Sequence, residues 1–237
     1  SGGPKPSYDA LTFFLYALRG RRCILCGFLA LYYQYAGSTG IYTFDLEKLI
    51  GMNLSLHVEQ WIFFALFFGF AVKIPMFPLH TWLPDAHTEA PTAGSVLLAS
   101  LLLKMGTYGF LRFSLPLLPQ ASVEPWIVKL MMTLSLVAII YGALVCLTQT
   151  DWKRLVAYSS VSHLGFCTLG IFSLNANGIT GSVIQQVNHG ITTGLLFLLV
   201  GFIYERRHTR EISEYGGVAQ PMPLFATVFG ITVFGSA

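Results

Sequence analysis

The sequence predicts an all-α polytopic membrane protein, and three observations lead there. Hydrophobic residues make up 54% of the chain and charged ones only 11%, against about 25% charged in an ordinary soluble domain. Apolar windows with few charges recur near residues 11–35, 57–78, 91–113, 126–149, 153–174 and 179–204, and another starts at 221 and runs to 237. At roughly 20 residues per crossing helix, the 237 residues hold six or seven spans and leave no polar gap large enough for a soluble catalytic domain. The chain starts on Ser1, and the apolar run Pro221 to Ala237 stops near full span length, so residues 1–237 are expected to be a fragment of one larger membrane domain.

The polar opening SGGPKPSYDA lacks the basic and apolar regions of a signal peptide. In the first span, LRGRRC places Arg19, Arg21 and Arg22 in an apolar stretch. That is unfavourable unless they snorkel, so this helix is expected to start near Cys23, to be locally unusual, or to reflect an altered local sequence, and the arginines are given no function. The 36–56 connection, Gly-rich and then carrying Asp45, Glu47 and Lys48, reads as a surface loop with one short helix. The second span ends FAVKIPMFPLHTWLPD. Pro75 has no N–H to donate and disfavours helix at Ile74, and Pro78 repeats the interruption, so the helix is expected to break just after Lys73. Such a break frees backbone groups at membrane depth, where only protein or a hydrated cavity satisfies them.

In the later spans Gly106, Gly109, Gly165, Gly170, Gly190 and Gly194 allow close helix approach. With alternating spans, Lys153, Arg154, Arg206, Arg207 and Arg210 fall on one side and Lys48 on the other, which assigns the first side to the cytoplasm or its organellar equivalent. The net charge of +3 is too small and scattered for nucleic-acid binding. Cys23 and Cys26 form a C-x-x-C without a second pair or His spacing, so they, Cys146 and Cys167 are expected to be small membrane-core residues and no metal site is read. His80, Asp85, His87 and Glu89 between the second and third spans are expected to be a hydrogen-bonded loop rather than metal ligands.

Four intramembrane residues carry the chemistry. Lys104 is mid-span in SVLLASLLLKMGTYGFLRF, too far from either end to snorkel, and Lys73 adjoins the break. A lysine at the bilayer centre costs roughly 2.5–3.5 kcal/mol on insertion scales and is rare without a role in ion or proton handling. Because burial disfavours the charged form, such a lysine can accept and release protons. His163 is accompanied by Ser159, Ser160 and Ser162, and His189 by Gln185, Gln186 and Asn188. These groups need partners or water, which implies a wet interior path of Lys73, Lys104, His163 and His189, supported by Ser159, Ser160, Ser162 and Asn188. The sequence has no phosphate loop, nucleotide fingerprint or iron–sulfur cysteine array, so electron chemistry is expected elsewhere.

KIPMFPLHTWLPDAHTEAPTAGSVLLASLLLKMGTYGFLRFSLPL (73–117), DWKRLVAYSSVSHLGF (151–166), NHGITTGLLFLLVGFIYERRHTR (188–210) and the Gly216 to Pro223 segment resemble the antiporter-like M/chain 4 subunits of proton-pumping NADH:quinone oxidoreductase, respiratory complex I. The resemblance implies a helical bundle with inverted repeats and a broken helix near Lys73–Pro78. It places Lys73 and Lys104 on the family's proton path, and His163 and His189 at further polar positions of its central axis. It also implies an energy-transducing membrane, whether the bacterial cytoplasmic, mitochondrial inner or thylakoid membrane. The implied partners are other membrane-arm subunits, the lipid bilayer and protons; NADH and quinone are bound by other subunits, with no cofactor or redox centre in this chain. A cation/proton antiporter subunit of the Mrp type and a membrane-bound hydrogenase subunit share the lysine framework and are the alternatives.

Overall fold

The structure, a computed structural model, describes residues 6–236. Residues 1–5, part of the segment without a signal-peptide pattern, lie outside the described residues, as does Ala237. The order is α1 (Pro6–Thr39), α2 (Leu46–Leu49), α3 (Leu56–Lys73), α4 (Trp82–Glu89), α5 (Thr92–Leu117), α6 (Pro119–Val123), α7 (Pro125–Cys146), α8 (Trp152–Phe172), α9 (Ala176–Arg207) and α10 (Pro223–Ser236). Among the described residues there is no strand, only an isolated bridge between Asp151 and Glu211. Helices α3, α5, α7, α8 and α9 are long and apolar enough to cross a membrane. Helix α10 is apolar but has 14 residues.

Helix α1 does not start near Cys23. It continues through LRGRRC, with Arg19, Arg21 and Arg22 on its exposed face and Gly20 buried against Val72 and the Gly69 carbonyl of α3. One helix can hold both groups because its faces are separate, and the arginines need not interrupt it. The cysteines differ in place as well: Cys167 is buried, Cys23 and Cys146 are half-buried, and Cys26 is exposed.

Helix α3 ends at Lys73, as its prolines predict, and backbone accounting shows how. Pro75 cannot donate to the Ala71 carbonyl, so Met76 N–H takes that place at 3.0 Å. The Val72 carbonyl thereby loses its ordinary donor and accepts the Trp82 indole N–H at 3.0 Å instead. After the irregular stretch 74–81, Trp82–Glu89 resumes as α4. The break is therefore closed by a side chain from its own far end.

The main apolar core includes Phe63, Phe67, Phe70, Phe110 and Phe172, and a smaller cluster of Ala99, Val156, Ala157, Leu196 and Phe197 joins α5, α8 and α9. Close approach needs glycine at particular places. A Cβ at Gly106 would stand 3.0 Å from the Phe70 carbonyl oxygen, and one at Gly165 would stand 3.0 Å from that of Ser135. Trp61, Leu101, Leu144, Ile191 and Phe234 remain outward and exposed, as lipid-facing residues would be.

The loops expected on the positively charged side do meet at one end. Asp151 caps α8 by accepting from Lys153 N–H and Arg154 N–H, and pairs with Arg210 at 3.4 Å. Arg154 pairs with Asp85 at 2.8 Å, Lys153 Nζ donates to the Ala90 carbonyl at 2.8 Å, and Arg210 donates to that of Thr88. These contacts tie α4 to the starts of α8 and the end of α9.

Candidate functional site

Lys104 owes its position to an irregularity in α5. Residues Leu98–Leu102 form a π-helical turn, in which Leu103 N–H donates to Leu98 O, five residues back, at 3.3 Å. The Ala99 carbonyl has thus lost its usual donor, and Lys104 Nζ donates to it at 2.5 Å. Turns of this kind often occur at functional sites. A second π-helical turn, Phe110–Ser114, follows.

The same ammonium lies 2.7 Å from Nδ1 of His189 on α9. The His189 ring centroid is 5.4 Å from that of His163 on α8, and His163 Nδ1 is 3.3 Å from Gln185 Nε2. Beside this line, Thr107 Oγ1 donates to Gln186 Oε1 at 2.7 Å, Gln186 Nε2 to Ser182 Oγ at 3.2 Å, and Ser182 Oγ to the Cys167 carbonyl at 2.7 Å. The structure therefore gathers Lys104, His189 and His163 from three helices into one polar line, with His189 buried and the other two half-buried. Gly190 permits the approach, since a Cβ there would stand 3.1 Å from the Ser100 carbonyl oxygen.

Lys73 is placed apart. It ends α3 and lines an apolar cavity of about 210 Å³ with Gly20, Arg21, Leu102 and Met105, and its side chain makes no hydrogen bond among the described residues. Leu103, next to Lys104, lines the same cavity. Ser159 and Ser160 both donate to the Val156 carbonyl, and Ser162 donates to that of Ile139, so these hydroxyls serve the backbone. Asn188 is exposed, and its carbonyl accepts from Thr192 Oγ1.

Residues 82–89 are helix α4 rather than a loop, and while Asp85 is hydrogen-bonded, the rings of His80 and His87 are not. His87 lies in α4, buried and stacked on Phe197 with ring centroids 4.3 Å apart, and neither ring nitrogen has a partner. Burial, reinforced by the Lys153 and Lys104 charges, pushes its pKa down to about 3. Asp85 is spent on Arg154. Among the described residues, no group of three or more His, Cys, Asp or Glu side chains could hold a metal ion.

Two partners escaped sequence reasoning: the Ala99 carbonyl, freed only by a π-helical turn, and Thr107, whose link to Gln186 joins residues 79 positions apart. Gln185 and Gln186 were visible beside His189, but a helix pattern does not show which of the two faces His163.

The fold and part of the sequence recur in known proteins. The chain is 49% identical over 237 residues to NADH-quinone oxidoreductase subunit M of Rickettsia bellii, covering 99% of this chain and 46% of that protein. It is 50% identical over 227 residues to NADH-ubiquinone oxidoreductase chain 4 of Chondrus crispus, covering 96% and 44%. The chain thus spans about half the length of the curated relatives it matches. Its structure superposes on a chain of respiratory complex I from Thermus thermophilus with TM-score 0.88 and 33% identity, covering 99% of this chain and 53% of that one. A chain of the Mrp complex from Dietzia sp. DQ12-45-1b gives 0.75 and 27%, covering 89% and 23%. The fold is that of the antiporter-like subunits, and the chain is an integral membrane protein of an energy-transducing membrane. With residues 3–237 matching its description, the chain belongs to the NADH:quinone oxidoreductase/Mrp antiporter transmembrane family.

Proposed function

We propose that this chain is part of an antiporter-like M/chain 4 subunit of NADH:quinone oxidoreductase, and that Lys104, His189 and His163 form a segment of its proton path. The observation that carries this reading is the 2.7 Å contact between Lys104 Nζ and His189 Nδ1, deep between α5 and α9. A charged Lys104 donates there to a neutral imidazole; transfer of that proton leaves a neutral amine and an imidazolium. The two histidine rings lie 5.4 Å apart between centroids, a separation that one water between their nitrogens would bridge. Lys73, at the helix break, shares its cavity with Leu103 and supplies the neighbouring charge of the path.

In this reading other subunits of the membrane arm flank the chain, and electron transfer from NADH to quinone takes place in subunits outside it, so this chain needs no redox cofactor of its own. Ser159, Ser160 and Ser162 contribute through the backbone carbonyls they satisfy rather than as proton carriers, and the exposed Asn188 stands outside the line. The Mrp-type reading draws less support, at 27% identity and TM-score 0.75 against 33% and 0.88.

Affinity purification through a tag on the full-length subunit tests the assignment. The expected result is copurification of an NADH-oxidising, quinone-reducing assembly whose turnover acidifies one side of reconstituted vesicles. Recovery with a cation/proton antiporter assembly, or with hydrogenase subunits, contradicts it.

A further inference from the structure

Arg19, Arg21 and Arg22 of α1 have no part in the polar line, and their depth sets them apart. Helix α1 runs antiparallel to α3 and to its continuation α4. Phe13 lies 5.2 Å from Trp82 between ring centroids, Tyr16 Oη is 3.1 Å from Thr81 Oγ1, Gly20 sits beside Val72 and the Gly69 carbonyl, and Gly27 sits against Leu66. Trp82 is one turn from Asp85, which marks the ion-paired end. Along α1, Arg22 lies beyond Phe13 by about 14 Å of helix axis, in a hydrocarbon core about 30 Å thick. The arginines therefore stand near mid-membrane, level with the break in α3.

The exposed stripe around them is otherwise free of charge. Leu11, Phe14 and Leu15 lie on it toward the ion-paired end, and Leu25, Cys26 and Tyr33 toward the other end, all of them exposed. Arg21 lines the Lys73 cavity at one edge, whereas Arg19 and Arg22, one turn apart, stand outside that cavity. None of the three guanidinium groups has an ion pair or a hydrogen bond among the described residues. Hydrocarbon solvates a guanidinium poorly, and charged side chains within spanning helices pair with one another or face the interior of a bundle. Snorkelling does not serve Arg22, because its way to the ion-paired end passes Leu15 and Phe14 and is longer than its side chain.

We propose that this stripe is the docking face for a transmembrane helix from the part of the full-length subunit outside residues 1–237, apolar along its length and carrying at mid-span an Asp or Glu that pairs with Arg19 and Arg22. Charge complementarity selects a carboxylate over lipid, since a guanidinium fork matches a carboxylate bidentately and lipid tails offer no acceptor. The apolar residues on either side of the arginines select a membrane helix over a polar loop. The Rickettsia bellii subunit M, of which this chain matches 46%, has further length to supply such a helix. This pairing is separate from the proton line and holds whether or not Lys104 carries protons.

The test uses the full-length subunit in the assembled complex. Arg19→Leu and Arg22→Leu are each expected to lower its melting temperature by several degrees, because each strands a buried carboxylate, with Arg22→Lys losing less. A stripe bathed in lipid gives the opposite sign: both leucine variants match or exceed the parent, and the proposal is overturned. For a leucine variant that fails to assemble, proximity decides instead. The photoreactive p-benzoylphenylalanine replaces Phe14, and separately Leu25, in the otherwise unsubstituted complex, and the products of irradiation are identified by mass spectrometry. Cross-links to a helix of the same subunit that holds an Asp or Glu at the depth of Arg22 support the docking face. Products carrying only phospholipid, a different subunit or a helix without a carboxylate overturn it.

Discussion

Lys104 Nζ and His189 Nδ1, 85 positions apart in sequence, lie 2.7 Å apart between α5 and α9. An ammonium only donates, so with Lys104 charged the neutral His189 accepts at Nδ1 and carries its proton on Nε2. That Nε2 is buried and has no partner. The pair is thus joined on one side and unsatisfied on the other, an arrangement suited to holding a proton that must move on.

The first prediction concerns the pair itself. Lys104→Met and His189→Leu should each lower the thermal stability of the complex, because each strands its partner in an apolar interior. The double substitution should lower it by less than the sum, with a coupling of about 0.5–3 kcal/mol. Thermal unfolding of the parent, both single variants and the double variant measures the cycle. Strict additivity would show that the two side chains do not interact.

The ion pairs at the charged end should differ in weight. Arg154 and Asp85 are 44% and 39% exposed, so their pair is expected to contribute roughly 0–1 kcal/mol. Arg210 and Asp151 are 22% and 18% exposed, Arg210 also donates to the Thr88 carbonyl, and Asp151 caps α8. Arg210→Met should therefore lower the melting temperature more than Arg154→Met. Equal losses, or the reverse order, would contradict this account of the junction between α4, α8 and α9.

His87 should make stability pH-dependent. Its imidazolium is disfavoured by burial first and by Lys153 and Lys104 second, while Asp85, paired with Arg154, and Glu89 are the carboxylates on its own helix. With a pKa of about 3 when folded against 6.5 in the unfolded chain, the unfolded state binds more protons between those values. Stability is then fully present above pH 6.5 and is lost as pH falls through that window, at about 1.4 kcal/mol per pH unit for one proton. Melting curves should show His87→Gln losing less stability than the parent on acidification to about pH 5. Identical slopes would show that His87 is not among the groups responsible.

The break after Lys73 was legible because Pro75 and Pro78 dictate it locally, and the depth of Lys104 because a run of apolar residues flanks it on both sides. The course of α1 was not, since a linear apolar window averages the exposed arginines with the buried Gly20 that packs on α3. The isolation of Ser159, Ser160 and Ser162 from the histidines was hidden for a similar reason. A serine in a helix can bond its own backbone, and sequence spacing does not reveal whether it does. The stacking of His87 on Phe197 depends on tertiary packing between segments distant in sequence.

The most direct measurement is proton pumping by the assembled complex carrying Lys104→Ala in the full-length subunit, read beside NADH oxidation with an artificial acceptor that bypasses the membrane arm. The account predicts lower pumping and lower coupled quinone reduction with acceptor-linked oxidation near normal, and only partial recovery in Lys104→Arg, because a guanidinium with a pKa above about 12 does not release its proton. An intact Lys104→Ala complex that pumps at the parent's rate and proton-to-electron ratio would contradict it.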